Sequence, residues 1–270
     1  MPVATPAAST TLPPPVTPLM PQKILSTENV TVDFDGFKAI QNLNFSMNAG
    51  ELRFLIGPNG AGKTTLLDII CGRVRPTQGK AYFKGNINLG RMQEHRIAQL
   101  GIGRKFQAPS VFASLTVLDN LELAMQGRRG VFSSLRARLN SDEQDRIMQC
   151  LQTIRLEERA NELAGALSHG EKQWLEIGML LMQEPELLLL DEPAAGMTDR
   201  ETEQMGELLH TLTDKSILIV EHDMEFVRTF ARTVTVMHEG NILREGTMDE
   251  VQNDPKVAEV YLGRRVADVA

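Results

Sequence analysis

Gly57-Pro58-Asn59-Gly60-Ala61-Gly62-Lys63-Thr64-Thr65 lies between an apolar, β-prone run at 51–56 and a helix-periodic stretch that continues to Cys71. The nonapeptide satisfies GxxxxGK followed by Ser or Thr, in the strand–loop–helix setting that this phosphate-binding pattern requires. Its glycines let successive backbone N–H groups turn inward toward phosphate oxygens, and the N-terminus of the following helix adds partial positive charge. In this arrangement Lys63 holds the β- and γ-phosphates of a nucleoside triphosphate. Thr64 ligates Mg2+ through its hydroxyl, and Thr65 is a further phosphate contact.

A second informative stretch is Leu187-Leu188-Leu189-Leu190-Asp191-Glu192. Four consecutive leucines read as a strand buried on both faces, and open parallel sheets present ligand-binding groups at the carboxyl ends of such strands. Both acids therefore belong beside the phosphate loop. Asp191 acts on Mg2+, directly or through water, and Glu192 polarises the attacking water as general base.

Short alternating pieces at 25–34, 38–47 and 51–56 predict strands, with turn chemistry at Asp35-Gly36 and Asn48-Ala49-Gly50. A helix follows Gly62 and closes at Gly72, and a strand is expected at 80–83. Helical periodicity at 116–126, 142–154 and 168–183 forms a helical lobe. Beyond it, strands at 187–190 and 217–220 alternate with helices at 199–212 and 224–231. A closing strand pair, 233–238 and 241–244, turns at Glu239-Gly240 and precedes a last helical tail. Strands alternating with helices imply a mainly parallel sheet covered on both faces.

Composition narrows the class. With 42% hydrophobic and 23% charged residues the chain is ordinary globular protein, and 270 residues suffice for one large α/β domain with an inserted lobe. A net charge of −7 argues against a nucleic-acid binder. Arg128, Arg129, Arg136 and Arg138 form one basic cluster, read as a solvated helical face. Cys71 and Cys150 carry no CxxC spacing, and Cys71 reads as a small buried hydrophobe. No apolar run approaches the roughly 20 residues needed to span a bilayer. Residues 1–22 hold seven prolines and no secretory pattern, so they are expected to be a disordered tail.

Leu167-Ser168-His169-Gly170-Glu171 stands about 20 residues before the paired carboxylates, in the place of the LSGGQ signature of ABC transporters. On these motifs residues 24–263 resemble the ATP-binding subunits of that family. Ser168 and Glu171 also form the S-x-x-E capping box of a helix, and both readings hold together, because such a helix start with a small Gly and a hydroxyl is an anion site. His169 and Glu171 depart from the usual Gly and Gln. His222, in Val220-Glu221-His222-Asp223, matches the family's switch histidine, and Gln107, in Lys105-Phe106-Gln107-Ala108-Pro109, its Mg2+- and water-sensing glutamine. Phe34 falls where the family stacks a ring on adenine, with Phe37 the competing ring and a core position open to either. Thr198 stands where many relatives carry Asp.

The resemblance implies an α/β P-loop NTPase (RecA-like) ABC cassette with an antiparallel β subdomain and a helical subdomain inserted at about 113–180. The cassette would occupy 23–263, followed by a tail at 264–270. Implied partners are two polytopic membrane permease subunits, a second ABC cassette making a homo- or heterodimer, and indirectly an extracytoplasmic solute-binding protein, at the cytoplasmic face of a bacterial inner membrane. The strings Lys172-Gln173-Trp174-Leu175-Glu176-Ile177-Gly178-Met179 and Glu192-Pro193-Ala194-Ala195-Gly196-Met197-Thr198-Asp199 look like urea-importer ATPases within the branched-chain amino-acid importer group. Urea or a short amide is the favoured solute, and branched-chain amino acids are second. A lipid-exporting cassette and a soluble assembly-scaffold ATPase are the alternatives of other classes.

Overall fold

The computed structural model describes residues 22–105, 110–125 and 140–260. Two sheets organise them. The larger has six strands in the order β11-β10-β4-β9-β8-β7. These are β4 (Leu52–Ile56), β7 (Ile102–Lys105), β8 (Leu187–Asp191), β9 (Ser216–Val220), β10 (Thr233–His238) and β11 (Asn241–Gly246). All its pairings are parallel except β10 with β11.

The physical reason for its place in the middle of the molecule is legible residue by residue. Phe54 and Ile56, Leu188 and Leu190, and Ile217 and Ile219 enter one apolar cluster. Leu55, Leu187, Leu189, Leu218 and Val220 enter another on the opposite face. Side chains alternate across a strand, so a sheet covered on both faces needs unbroken apolar runs. That requirement explains the four leucines before Asp191.

The helices α3 (Val117–Ala124), α4 (Ser141–Thr153), α5 (His169–Leu181), α6 (Asp199–Thr211) and α7 (Met224–Phe230) contribute to the first cluster. The second cluster is shared by α1 (Lys63–Ile70) and the antiparallel sheet, and α2 (Glu94–Gln99) adds Ile97 to it. That second sheet runs β2-β1-β5-β6, with β3 on β1. Its strands are β1 (Lys23–Phe34), β2 (Phe37–Leu43), β3 (Ser46–Asn48), β5 (Gln78–Phe83) and β6 (Ile87–Asn88). A short α8 (Met248–Gln252) follows β11.

The expected parallel, doubly covered sheet and the expected helical lobe are therefore present. The strand expected at 38–47 is instead two strands, broken at Asn44-Phe45, where Phe45 N donates to Thr27 Oγ1. Three elements had no reading in the sequence: β6, α2 and β7. The tail at 1–21, Gln107, the arginine cluster at 128–138 and the residues beyond 260 lie outside the described residues. No described helix is long and apolar enough to cross a membrane.

Candidate functional site

The phosphate loop leaves β4 and enters α1 through Gly62, whose φ of 100° lies in the left-handed region. A Cβ there would stand 2.7 Å from Ala39 O and 2.8 Å from Ile40 Cδ1, so the loop closes against β2 only as glycine. Lys63 is 6% exposed, and its Nζ donates to Gly57 O at 2.6 Å and Pro58 O at 3.2 Å. The ammonium is thus held at the loop and not out in solvent.

A cavity of about 310 Å³ opens over this loop. Its wall includes Asn59 to Thr65, Asp191, Glu192 and His222. Three chain segments far apart in sequence converge there because β4, β8 and β9 lie side by side and end at one edge of the sheet. A larger cleft of about 620 Å³ shares Glu192 and His222, but its wall carries Glu203, Glu221, Asp223 and Glu225. An acidic wall without the phosphate loop repels a polyphosphate, so the smaller cavity is the site.

Glu192 has a φ of 49°, a left-handed conformation uncommon for a residue with a side chain. Its N donates to Val220 O at 2.9 Å, which ties the turn after β8 to the end of β9. His222 Nε2 lies 3.3 Å from Glu192 Oε1. Burial and the Lys63 charge hold the His222 pKa below its ordinary value, against the pull of Glu192 and Asp191, which favours the neutral ring. Burial raises the Asp191 pKa, and the Arg104 guanidinium opposes the shift.

The residues fit a magnesium nucleotide: a glycine-rich loop at a helix N-terminus, one ammonium, two threonine hydroxyls and a strand-end carboxylate. Phe37 lies in the wall of the cavity. Phe34 pairs with Phe37 across the hairpin turn but is outside that wall, which places the competing ring nearer the loop.

Ser168, His169, Gly170 and Glu171 do not line this cavity. The capping box is present: Ser168 Oγ accepts from Glu171 N, and Glu171 Oε2 accepts from Ser168 N. In the same chain His169 faces the loop after Glu192, and Gly170 faces the first turn of α6. A Cβ on Gly196 would lie 2.9 Å from His169 Cδ2, and one on Gly170 would lie 2.5 Å from Glu201 Oε1. Thr198 caps α6, with its Oγ1 2.8 Å from Glu201 Oε2, so its hydroxyl is engaged within its own helix start.

Several site-supporting residues escaped the sequence reading. Glu221 is 3% exposed and accepts from Ala194 N and His222 N, and burial pushes its pKa up to about 7. Lys105 is fully buried, with Nζ 3.7 Å from Glu176 Oε2 on α5. Arg104 reaches Asp68 and Asp191. The available signal was charge inside apolar strands and helices, but the partners lie far away in sequence.

A phosphate loop, a strand-end Asp-Glu pair and a histidine facing the second acid, on a parallel sheet with an inserted helical lobe, define a P-loop ATPase of the cassette type. The family model described as ABC transporter matches residues 40–195, and one described as branched-chain amino acid ATP-binding cassette transporter matches residues 245–267. The chain belongs to the ABC transporter family, as an ATP-binding subunit of the branched-chain amino-acid importer type, and is an ATPase whose nucleotide is ATP with Mg2+.

It is 36% identical over 254 residues to the high-affinity branched-chain amino acid transport ATP-binding protein LivG of Escherichia coli (strain K12), covering 90% of this chain and 99% of LivG. Among solved structures it is similar to the ADP conformation of MJ1267, an ATP-binding cassette of an ABC transporter. That match has a TM-score of 0.75 and 32% identity, over 89% of this chain and 99% of that one. A dimeric post-hydrolysis state of the cassette MJ0796 bound to ADP and Pi gives a TM-score of 0.69 and 27% identity, over 83% and 98% of the two chains.

Proposed function

We propose that this chain hydrolyses ATP to drive an importer of branched-chain amino acids, from the cytoplasmic face of a bacterial inner membrane. The observation that carries the hydrolytic part is the convergence of Lys63, Asp191, Glu192 and His222 on one cavity. The solute class rests on similarity to LivG over 90% of this chain, together with the C-terminal match at 245–267.

In this reading Lys63 and the backbone of residues 57–65 bind the phosphates. Thr64 and Asp191 hold Mg2+, which when bound neutralises charge on the β- and γ-phosphates, and Gln107 is assigned to the same ion and the water. Glu192 takes the proton of the attacking water, and His222, kept neutral by burial, orients that carboxylate and meets the γ-phosphate. Phe37 or Phe34 stacks on adenine. Ser168 to Glu171 serve the triphosphate held by a second cassette, identical or paralogous, so that ATP favours a closed pair and hydrolysis releases it. Two polytopic permeases receive that motion, and a solute-binding protein feeds them from outside.

Urea or a short amide is the second reading. It rests on the strings at 172–179 and 192–199, whereas the matches at 36% identity and at 245–267 favour branched-chain amino acids.

Uptake of labelled leucine and labelled urea by cells lacking this chain, complemented with wild type or Glu192→Gln, tests both. Loss of leucine uptake restored only by wild type supports the first reading, and loss of urea uptake alone supports the second. Purification of Glu192→Gln from membranes without any polytopic partner would remove the transporter role.

A further inference from the structure

The strand β7 had no reading in the sequence, yet it ends in two consecutive cations buried inside the molecule. Its register pairs Arg104 with Leu189 and Lys105 with Leu190, so both stand beside the end of β8 that delivers Asp191. Successive side chains of a strand point to opposite faces. Lys105 meets Glu176 of α5 on one face. On the other, Arg104 Nη1 donates to Asp68 Oδ1 at 2.6 Å and Nη2 approaches Asp191 Oδ2 at 3.5 Å.

Asp68 lies on α1, the helix that begins at Lys63. One guanidinium therefore joins the helix of the phosphate loop to the carboxylate at the end of β8. The Arg104 side chain is only 5% exposed, Asp191's 8% and Asp68's 23%, so these contacts are shielded from water and from competing ions. The fork is planar and rigid: with Nη1 fixed on Asp68, the position of Nη2 is set, and with it the rotation of the Asp191 carboxylate. Asp191 Oδ2 is the oxygen that Arg104 engages, and the same residue lines the cavity. A lysine could keep the charge but could not bridge two carboxylates in one plane.

We propose that Arg104, anchored by Asp68, is a positioning residue that orients Asp191 toward the divalent cation of the nucleotide. It rests on the assignment of Asp191 to that cation given above. Arg104 is not in the wall of the cavity and acts through Asp191. Carboxylates that bind metals are in turn hydrogen-bonded, and losing such a partner typically lowers metal affinity or activity by about 10- to 100-fold.

The test uses the full chain with Mn2+ and a non-hydrolysable ATP analogue, the free Mn2+ being read by electron paramagnetic resonance. Arg104→Gln should weaken Mn2+ binding by about tenfold or more, while binding of the analogue in chelator stays as in wild type. Arg104→Lys should be weakened too, and Asp68→Asn should move in the same direction by less. Mn2+ affinity within about twofold of wild type in Arg104→Gln, with Asp191→Asn clearly weakened, would overturn this inference alone. An equal fall in metal-free analogue binding would also overturn it, since the pair would then merely hold the fold. If Asp191→Asn leaves Mn2+ binding intact, the assignment of Asp191 itself fails. Should Arg104→Gln not fold, Asp68→Asn decides, and unchanged Mn2+ binding there rejects the proposal.

Discussion

At the scale of single residues, chemistry and support separate cleanly. In the proposed mechanism Glu192 is the general base, and His222 lies 3.3 Å from it. Glu192→Gln keeps the shape and removes the base, so steady-state hydrolysis should fall by about 10²- to 10⁴-fold while ATP binding, followed with a fluorescent analogue, is retained. Retained turnover would move the base elsewhere. The two candidate rings are separable in the same way. Phe37 lines the cavity and Phe34 does not, so Phe37→Ala should raise the KM for ATP more than Phe34→Ala does, kcat being little changed in either. A larger effect at Phe34 would restore it as the adenine platform.

At the scale of elements, the helix α5 is fastened to the end of β7 by charge. Lys105 and Glu176 are both buried, and Glu176 Oε1 also accepts from Ser110 N at 3.4 Å. Removing one partner strands the other charge in the interior, which costs about 3–5 kcal/mol, whereas two apolar residues of similar volume can be neutral. Lys105→Met should therefore lower the urea midpoint markedly, and the double variant Lys105→Met with Glu176→Leu should recover most of it. Strict additivity of the two single losses would refute the pairing.

The turn after β9 is held differently, by Glu221 beneath the loop that follows Glu192. Its pKa rises from 4.5 to about 7, so the folded state binds this proton more tightly than the unfolded state does. Its contribution is therefore fully present below about pH 4.5 and is lost as pH rises through 7. Glu221→Gln removes that slope, and its stability relative to wild type should improve by on the order of 3 kcal/mol between pH 4.5 and 8, read from denaturant midpoints. An unchanged difference across this range would mean that Glu221 ionises freely in the fold.

At the scale of the whole molecule, the phosphate loop, Asp191, Glu192 and His222 meet in one cavity, and Ser168 to Glu171 do not join them. The signature instead packs on the loop after Glu192, through His169 against Gly196, and on the start of α6, through Gly170 against Glu201. In the proposed mechanism such a subunit binds ATP by itself and draws on the signature of a second cassette for turnover. Ser168→Arg should leave ATP binding by the isolated chain intact and abolish hydrolysis. A Ser168→Arg chain that hydrolyses normally would remove the need for a second cassette.

The linear pattern sufficed for the phosphate loop, the strand-end acids, the apolar strands around them and the capped start of α5, because each rests on neighbours within a few residues: a glycine's backbone freedom, the two-residue period of a strand, a cap three residues from its partner. It also carried the sheet class, since continuous apolar strands alternating with helices bury only in a sheet covered on both faces. It was silent on β7, whose Gly103-Arg104-Lys105 reads as polar and turn-like, because the ions that make those charges tolerable, Asp68, Glu176 and Asp191, lie 36, 71 and more residues away. The same distance hid Glu221's hold on the Glu192 loop and Phe37's place in the cavity wall. Those were decided only when the sheet order brought β4, β8 and β9 together, since burial and pairing of charge depend on neighbours in space and leave no period along the chain.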